Sequence, residues 1–91
     1  LWTWQQGDIS ANPLYEGDFA RALGAIKARA IVMPCTQDLY FPPADNAIEV
    51  AQMPNAELRP FASPWGHCVA NPGNVPAFER ALDGAIRELL A

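Results

Sequence analysis

Several residue types are scarce in this chain of 91 residues, and each scarcity excludes a class of protein. Its two cysteines, Cys35 and Cys68, are too few for a disulfide framework and lie outside the CxxC pairs that are typical of zinc sites. We therefore expect both to be reduced thiols in a cytoplasmic protein. Six Lys and Arg residues stand against ten Asp and Glu residues and form no basic cluster, which argues against nucleic-acid binding.

Long apolar runs are also missing. No segment approaches the roughly 20 consecutive apolar residues that span a bilayer, and no basic-then-apolar leader opens the chain. We therefore expect a soluble protein without a membrane partner. A hydrophobic fraction of 51% with 18% charged residues is typical of an ordinary globular protein, and the length allows one small domain with a modest core.

The order of predicted elements indicates an α/β fold. Residues 1–15 show neither helical nor strand periodicity and are read as an arm, whereas residues 16–91 alternate between helices and strands. The predicted elements are a helix from the N-cap Asp18 to Gly24 or Lys27, a strand at 28–33, a helix at 42–52, a strand at 56–61, a loop at 62–74 and a helix at 75–91. Such alternation is typical of parallel strands with flanking helices.

Two details of this pattern carry expectations. Pro60 removes a backbone donor from the second strand, which should therefore be short or lie at an edge. The last helix has an apolar stripe that should lie on a core, formed by Val75, Phe78, Leu82, Ile86, Leu89 and Leu90. Two parallel strands do not make a stable sheet, and the chain begins at Leu1, so we expect it to be part of a longer protein or to pair with another chain.

Two polar residues follow the two predicted strands. Asp38 comes after the first strand and His67, the only histidine, comes after the second. The carboxyl ends of parallel strands share one edge of a sheet, so the side chains of Asp38 and His67 can converge there. If they pair, a carboxylate oxygen of Asp38 should lie within about 3.2 Å of a ring nitrogen of His67. The alternatives are a loop histidine bonded to the backbone and an aspartate that closes an Asx-turn or caps the next helix. The Asx-turn is compatible with the pairing.

Three segments resemble a known family. The stretches "TWQQGDISANPLYEGD", "VMPCTQDLYFPP" and "MPNAELRPFASPWGHCVANPG" are similar to the C-terminal portion of the homoserine O-acetyltransferase-like branch of the α/β-hydrolase superfamily. The resemblance implies a three-layer sandwich in the complete protein, with residues 1–15 ending the lid region and 16–91 forming the C-terminal segment. It also implies that Asp38 is the acid and His67 the base of a Ser-Asp-His triad.

This sequence departs from the family pattern at two places. Cys68 follows the histidine where the acetyltransferases usually carry aspartate, so an ester hydrolase or another acyltransferase fits as well. The motif Gly-x-Ser-x-Gly, whose strained turn exposes the nucleophile, does not occur around Ser10 or Ser63, the only serines. We therefore expect the nucleophile to lie elsewhere and the 91 residues alone to be inactive.

The resemblance also implies the partners. A small-molecule acyl donor would pass its acyl group through the serine to a hydroxyl acceptor or to water, and acetyl-CoA would be the donor in the acetyltransferase branch. No metal or bound redox cofactor is implied. A zinc site or a Cys68 nucleophile is disfavoured, since metal-site spacing is absent and adjacent side chains rarely face each other. The alternative from another class is a non-catalytic fragment that forms a homodimer through exposed strand edges.

Overall fold

A computed structural model describes residues 17–91, so the predicted arm at 1–15 lies outside the described residues. The elements follow one another in the order predicted from the sequence. In chain order they are helix α1 (Phe19–Gly24), strand β1 (Ala30–Val32), helix α2 (Pro43–Ala51), strand β2 (Ala56–Leu58), a 3-10 helix (Gly66–Ala70) and helix α3 (Pro76–Leu90). The 3-10 helix lies within the segment that was predicted to be loop.

Local signals explain where the helices begin. The carboxylate of Asp18 accepts the N–H of Arg21 at 3.0 Å, as an N-cap residue does at the start of α1. Helices α2 and α3 both begin with proline, at Pro43 and Pro76, where the missing N–H would have had no partner inside the helix.

Strands β1 and β2 form a parallel pair, with Ala30 opposite Ala56 and Val32 opposite Leu58. The pairing continues past the strands as an isolated bridge between Cys35 and Phe61. Helix α2 packs against β2, and α3 contacts both β1 and the 3-10 helix. In the described part of the chain the sheet has these two strands and no other.

Pro34 interrupts this ladder, whereas Pro60 lies on the outer side of β2, as the expectation of an edge strand allows. Arg59 N–H donates to the carbonyl of Val32, and Phe61 N–H donates to that of Pro34, both at 2.8 Å. Alternate residues of a strand bond to the same neighbouring strand. Pro60 lies between Arg59 and Phe61, so its nitrogen faces away from β1. The nitrogen of Pro34 faces β2 but has no hydrogen to donate. Strand β2 is short, as predicted, but β1 supplies the reason.

The same alternation shows which edge of β1 does not pair with β2. Ala30 and Val32 direct their backbone groups towards β2, so the backbone groups of Ile31 and Met33 point to the opposite edge. Parallel strands usually have neighbours on both sides. Strand β1 therefore offers an edge on which another parallel strand fits.

The core lies beneath the carboxyl ends of the two strands. Cys35, Val69 and Phe78 are 3%, 6% and 6% exposed, and Met33, Phe61 and Val75 pack against them. The rings of Phe61 and Phe78 meet edge to face with centroids 5.3 Å apart. This cluster joins the residues after β1, the residues after β2, the 3-10 helix and α3, so it holds together the loops that carry Asp38 and His67.

The predicted apolar stripe of α3 is only partly covered. Phe78 and Ala85 are buried, but Leu82, Ile86 and Leu90 are 40%, 46% and 81% exposed in the described part of the chain. Two strands about 4.8 Å apart are narrower than a helix about 10 Å across. The expectation that the whole stripe lies on a core was therefore wrong for these described residues, since the sheet beneath is too narrow to cover it.

Ion pairs fasten the end of α3 to both strands. Glu88 bonds to Arg29, which precedes β1, at 3.1 Å and to Arg59, which follows β2, at 2.9 Å. Arg59 also bonds to Glu57 at 2.9 Å. The hydrogen bond from Arg59 is the main reason that the pKa of Glu88 lies below its ordinary value. Within residues 17–91, no helix combines the length and apolar character needed to cross a bilayer.

Removing the ring of Phe78 should destabilise the chain strongly. Phe78→Ala leaves a cavity next to Phe61, and such substitutions cost about 3–5 kcal/mol, which is a large part of the stability of a small domain. The control is Leu82→Ala on the same helix, whose side chain is already 40% exposed. Denaturant unfolding followed by circular dichroism should show a much larger loss for Phe78→Ala, and equal losses would contradict this core.

Candidate catalytic pair

Asp38 lies in the turn between β1 and α2. Its backbone N–H donates to the carbonyl of Cys35 at 3.1 Å, and its side-chain Oδ1 accepts the N–H groups of Tyr40 and Phe41 at 2.8 and 2.9 Å. This is an Asx-type turn, in which a short carboxylate replaces a backbone acceptor. The side chain is 11% exposed and its direction is fixed by two donors.

These donors also keep Asp38 charged. The N–H of Phe41 is the largest of the causes that lower the pKa of the Asp38 carboxyl below its ordinary value. Partial burial acts in the opposite direction, and the hydrogen bonds from His67 and Tyr40 add to the lowering. Donors stabilise the ionised form more than the neutral form. Asp38 is therefore an anion at neutral pH.

His67 lies on the 3-10 helix that follows β2, and its Nδ1 is 3.1 Å from Oδ2 of Asp38. The two side chains are thus brought together at the carboxyl ends of adjacent strands, within the distance predicted from the sequence. The partner of His67 Nδ1 is thus a side-chain carboxylate and not a backbone group, as the alternative would have it. The ring is 46% exposed, and with Nδ1 bound to a carboxylate, Nε2 remains for another partner.

Gly66 allows the two loops to approach this closely. Its φ of +56° is in the left-handed region, and a Cβ atom there would lie 2.8 Å from the backbone carbonyl oxygen of Gln37. Gln37 is the residue directly before Asp38. Any side chain at position 66 would therefore push the loop of His67 away from the turn of Asp38, which explains why glycine precedes the histidine.

Buried hydrogen bonds hold the two loops in register. The carbonyl of Ser63 accepts the thiol of Cys35 at 3.3 Å and the N–H of Gly66 at 3.4 Å, and the Ser63 hydroxyl accepts the N–H of Trp65 at 3.2 Å. Ser63 is 7% exposed. It is therefore a bracing residue of the histidine loop, and its hydroxyl is not presented as a nucleophile.

The far side of the histidine loop is also tied down. The Asn74 side chain donates to the carbonyl of Cys68 at 3.4 Å, and Glu79 in the first turn of α3 accepts the N–H of Gly73 at 2.7 Å. These residues were not predicted from the sequence, because both bonds join residues six apart, a separation that matches no cap, turn or helix pattern.

Two aromatic rings lie against the imidazole. The ring centroids of Tyr40 and Phe41 are 4.8 and 5.4 Å from that of His67, with interplanar angles of 50° and 42°. Both residues also donate their N–H groups to Asp38. The sequence analysis missed this role, although the position of both residues directly after the aspartate was a usable signal.

An open concavity of about 300 Å³ lies beside the pair. Its polar lining residues are Asp38, Asn46 and His67, and its apolar lining includes Phe41 and Phe78. In residues 17–91 no group of three or more His, Cys, Asp or Glu side chains is placed to hold a metal ion. Cys35 is buried and Cys68 is exposed, and Ser10 lies outside the described residues.

A carboxylate after one parallel strand and an imidazole after the next follow the chain order in which α/β-hydrolases carry the acid and the histidine of their triad. The chain is similar in structure to the acetyl esterase MekB, with a TM-score of 0.83 and 40% sequence identity over 98% of this chain and 25% of that one. The chain therefore has the fold of part of an α/β-hydrolase.

Its relatives by sequence are esterases and an acyltransferase. An ethyl acetate hydrolase of Pseudomonas veronii is 39% identical over 90 residues, which are 99% of this chain and 25% of that protein. A probable esterase of Corynebacterium glutamicum is 46% identical over 66 residues, which are 72% and 18% of the two chains. A probable acyltransferase of Methanothermobacter thermautotrophicus is 42% identical over 55 residues, or 59% and 17%.

The chain thus spans a quarter or less of the length of these relatives. No protein-family model matches it. The similarity supports a relationship to esterases and acyltransferases. The narrower resemblance to homoserine O-acetyltransferases stays a prediction.

A methyl group at position 66 should separate the pair. Gly66→Ala adds the contact with the Gln37 carbonyl to the cost of a left-handed backbone, together about 1–3 kcal/mol. Gly73→Ala is the matched control, because its φ of +82° is also left-handed but nothing lies within 4 Å of the added Cβ. Thermal unfolding should show the larger loss for Gly66→Ala. Equal losses would mean that the two loops do not touch at Gly66.

Acid should remove the contribution of Asp38 to stability. Its folded pKa is lowered, so its stabilisation is fully present above the unfolded value, near 3.8, and is lost as the pH falls through the lower folded value. Thermal midpoints measured from about pH 6 to about pH 2 should fall more steeply for the unmodified chain than for Asp38→Asn. Glu88 titrates in both proteins and cancels in the comparison. Parallel curves would contradict a lowered pKa.

Proposed function

We propose that this chain supplies the acid Asp38 and the base His67 of a Ser-Asp-His triad that hydrolyses esters of short carboxylic acids. The single observation that carries the proposal is the contact of 3.1 Å between His67 Nδ1 and a carboxylate that two backbone N–H groups hold ionised. An imidazole held in this way keeps its proton on Nδ1 and offers Nε2 as a base. The serine is supplied from outside these 91 residues.

The reaction follows from this proton arrangement. His67 Nε2 takes the proton of the serine hydroxyl as its oxygen attacks the ester carbonyl carbon, and the imidazolium is stabilised by Asp38. When the carbon–oxygen bond to the alcohol breaks, His67 gives that proton to the leaving alkoxide, which departs as the alcohol. A water molecule then attacks the acyl-serine while His67 accepts its proton, and the acid leaves as the proton returns to the serine.

Hydrolysis is the reaction named for two of the sequence relatives and for one structural neighbour. The names of two relatives and one structural neighbour describe an esterase, an ethyl acetate hydrolase and an acetyl esterase. Cys68 also stands where the homoserine O-acetyltransferases usually carry aspartate. Short acyl groups, acetyl above all, are therefore the substrates that we propose. No residue of the described part is assigned to a cofactor.

Acyl transfer to a hydroxyl acceptor is the second candidate, and the related probable acyltransferase favours it. The two reactions share the acyl-serine intermediate and differ in whether water or an alcohol removes the acyl group. In that case acetyl-CoA would be the donor. An assay with acetyl-CoA and homoserine, run beside the ester assay, separates the two candidates.

A chimera tests the proposal. This chain replaces the 90 matching residues of the Pseudomonas veronii ethyl acetate hydrolase, which retains the remaining part of that protein. The chimera should release acetate from ethyl acetate, whereas the isolated chain should not. His67→Ala should lower kcat by about 10⁴-fold, and Cys68→Ala, the exposed neighbour, should leave it unchanged. A chimera that unfolds cooperatively and is inactive would contradict the proposal, and so would a loss of activity in Cys68→Ala.

Asp38→Asn should act through the tautomer of His67. If the amide oxygen takes the two backbone N–H groups, the amide NH₂ faces Nδ1, which must then carry no proton and accept. The proton moves to Nε2, where the base is required, and kcat should fall by about 10⁴-fold in the chimera. A thermal midpoint close to that of the unmodified chimera would show that the loss is not due to unfolding.

A further inference from the structure

We propose that Tyr40 is a positioning residue whose ring holds the imidazole of His67 in the plane that keeps Nδ1 hydrogen-bonded to Asp38. This proposal rests on the proposed function. The centroids of the two rings are 4.8 Å apart and tilted by 50°. Tilted aromatic contacts at this separation are attractive and directional. The phenol ring therefore restricts rotation of an imidazole that is otherwise 46% exposed.

The backbone places this ring without any help from its side chain. The N–H of Tyr40 donates to Asp38 Oδ1 at 2.8 Å, so the turn that fixes the carboxylate also fixes the Cα of Tyr40. One residue thus serves both members of the pair, through its N–H for the acid and through its ring for the base. A substitution that removes the ring leaves the N–H in place, so the two roles are separable.

Exposure distinguishes Tyr40 from its neighbours in the turn. Tyr40 is 77% exposed, so its ring contributes little to the core. The contact between this ring and His67 therefore lies at the protein surface. Phe41 also touches His67 but lines the adjacent concavity, so its loss would change more than the imidazole. Leu39 is 92% exposed, precedes Tyr40 and serves as the control residue.

Nuclear magnetic resonance of the full 91-residue chain tests this role directly, because His67 is the only histidine and gives one set of imidazole signals. The ¹⁵N shifts of the neutral ring distinguish a proton on Nδ1 from a proton on Nε2. In the unmodified chain we expect the proton on Nδ1, with a slowly exchanging Nδ1–H signal. The measurement needs no substrate and no serine, so its result does not depend on whether the chain takes part in ester hydrolysis.

Tyr40→Ala should abolish the Nδ1–H signal and shift both ring nitrogens towards the Nε2–H form that free imidazole prefers. Tyr40→Phe should restore the original signals, since it keeps the ring, and Leu39→Ala should leave them unchanged. The amide signals of residues 40 and 41 should persist in all three variants, because they report the bonds to Asp38.

Three results would overturn the proposal. Unchanged imidazole signals in Tyr40→Ala would show that the ring does not hold His67. Failure of Tyr40→Phe to restore them would assign the effect to the hydroxyl. Simultaneous loss of the amide signals of residues 40 and 41 in Tyr40→Ala would show that the side chain acts on the turn and not on the imidazole.

Discussion

The approach of the histidine loop to the aspartate turn is the constraint on which the rest of this structure depends. At Gly66 the two backbones come so near that there is no room for a Cβ atom beside the Gln37 carbonyl. The adjacent residues, His67 and Asp38, then meet at 3.1 Å. A hydrogen bond between two partly exposed side chains is weak in itself, but here other contacts between the loops hold the two residues together as well.

The packing below the pair holds the histidine loop close to the aspartate turn. Cys35 and Ser63 link the ends of the two strands through a buried thiol and a carbonyl, and Phe61 and Phe78 fill the space between sheet and helix. Strand order alone would bring Asp38 and His67 to one edge, but only to within several ångströms. The fixed core converts that rough proximity into a specific contact, because closely packed side chains leave few alternative positions for the loops.

The sequence revealed the order of elements and both members of the pair, because these depend on local patterns: apolar runs, prolines and turn residues. From Pro60 it predicted that β2 is short or lies at an edge, which holds for the described residues, but only the register with β1 shows which side of the strand the Pro60 nitrogen faces. It also missed the ring of Tyr40 and the bond from Gly73 to Glu79. The position of Tyr40 directly after the aspartate turn was a usable signal, but its contact with the His67 ring forms only when the two loops meet in the folded chain.

Within residues 17–91, the hydrogen bonds that brace the pair join residues between Cys35 and Glu79. Under the function proposed above, the acid and the base carry their own supports, so they can be inherited together while the surfaces that choose an acyl group or an acceptor diverge around them. A probable esterase and a probable acyltransferase are both similar to this chain, which agrees with such joint inheritance. Divergence in what is bound need not disturb the machinery that moves the proton.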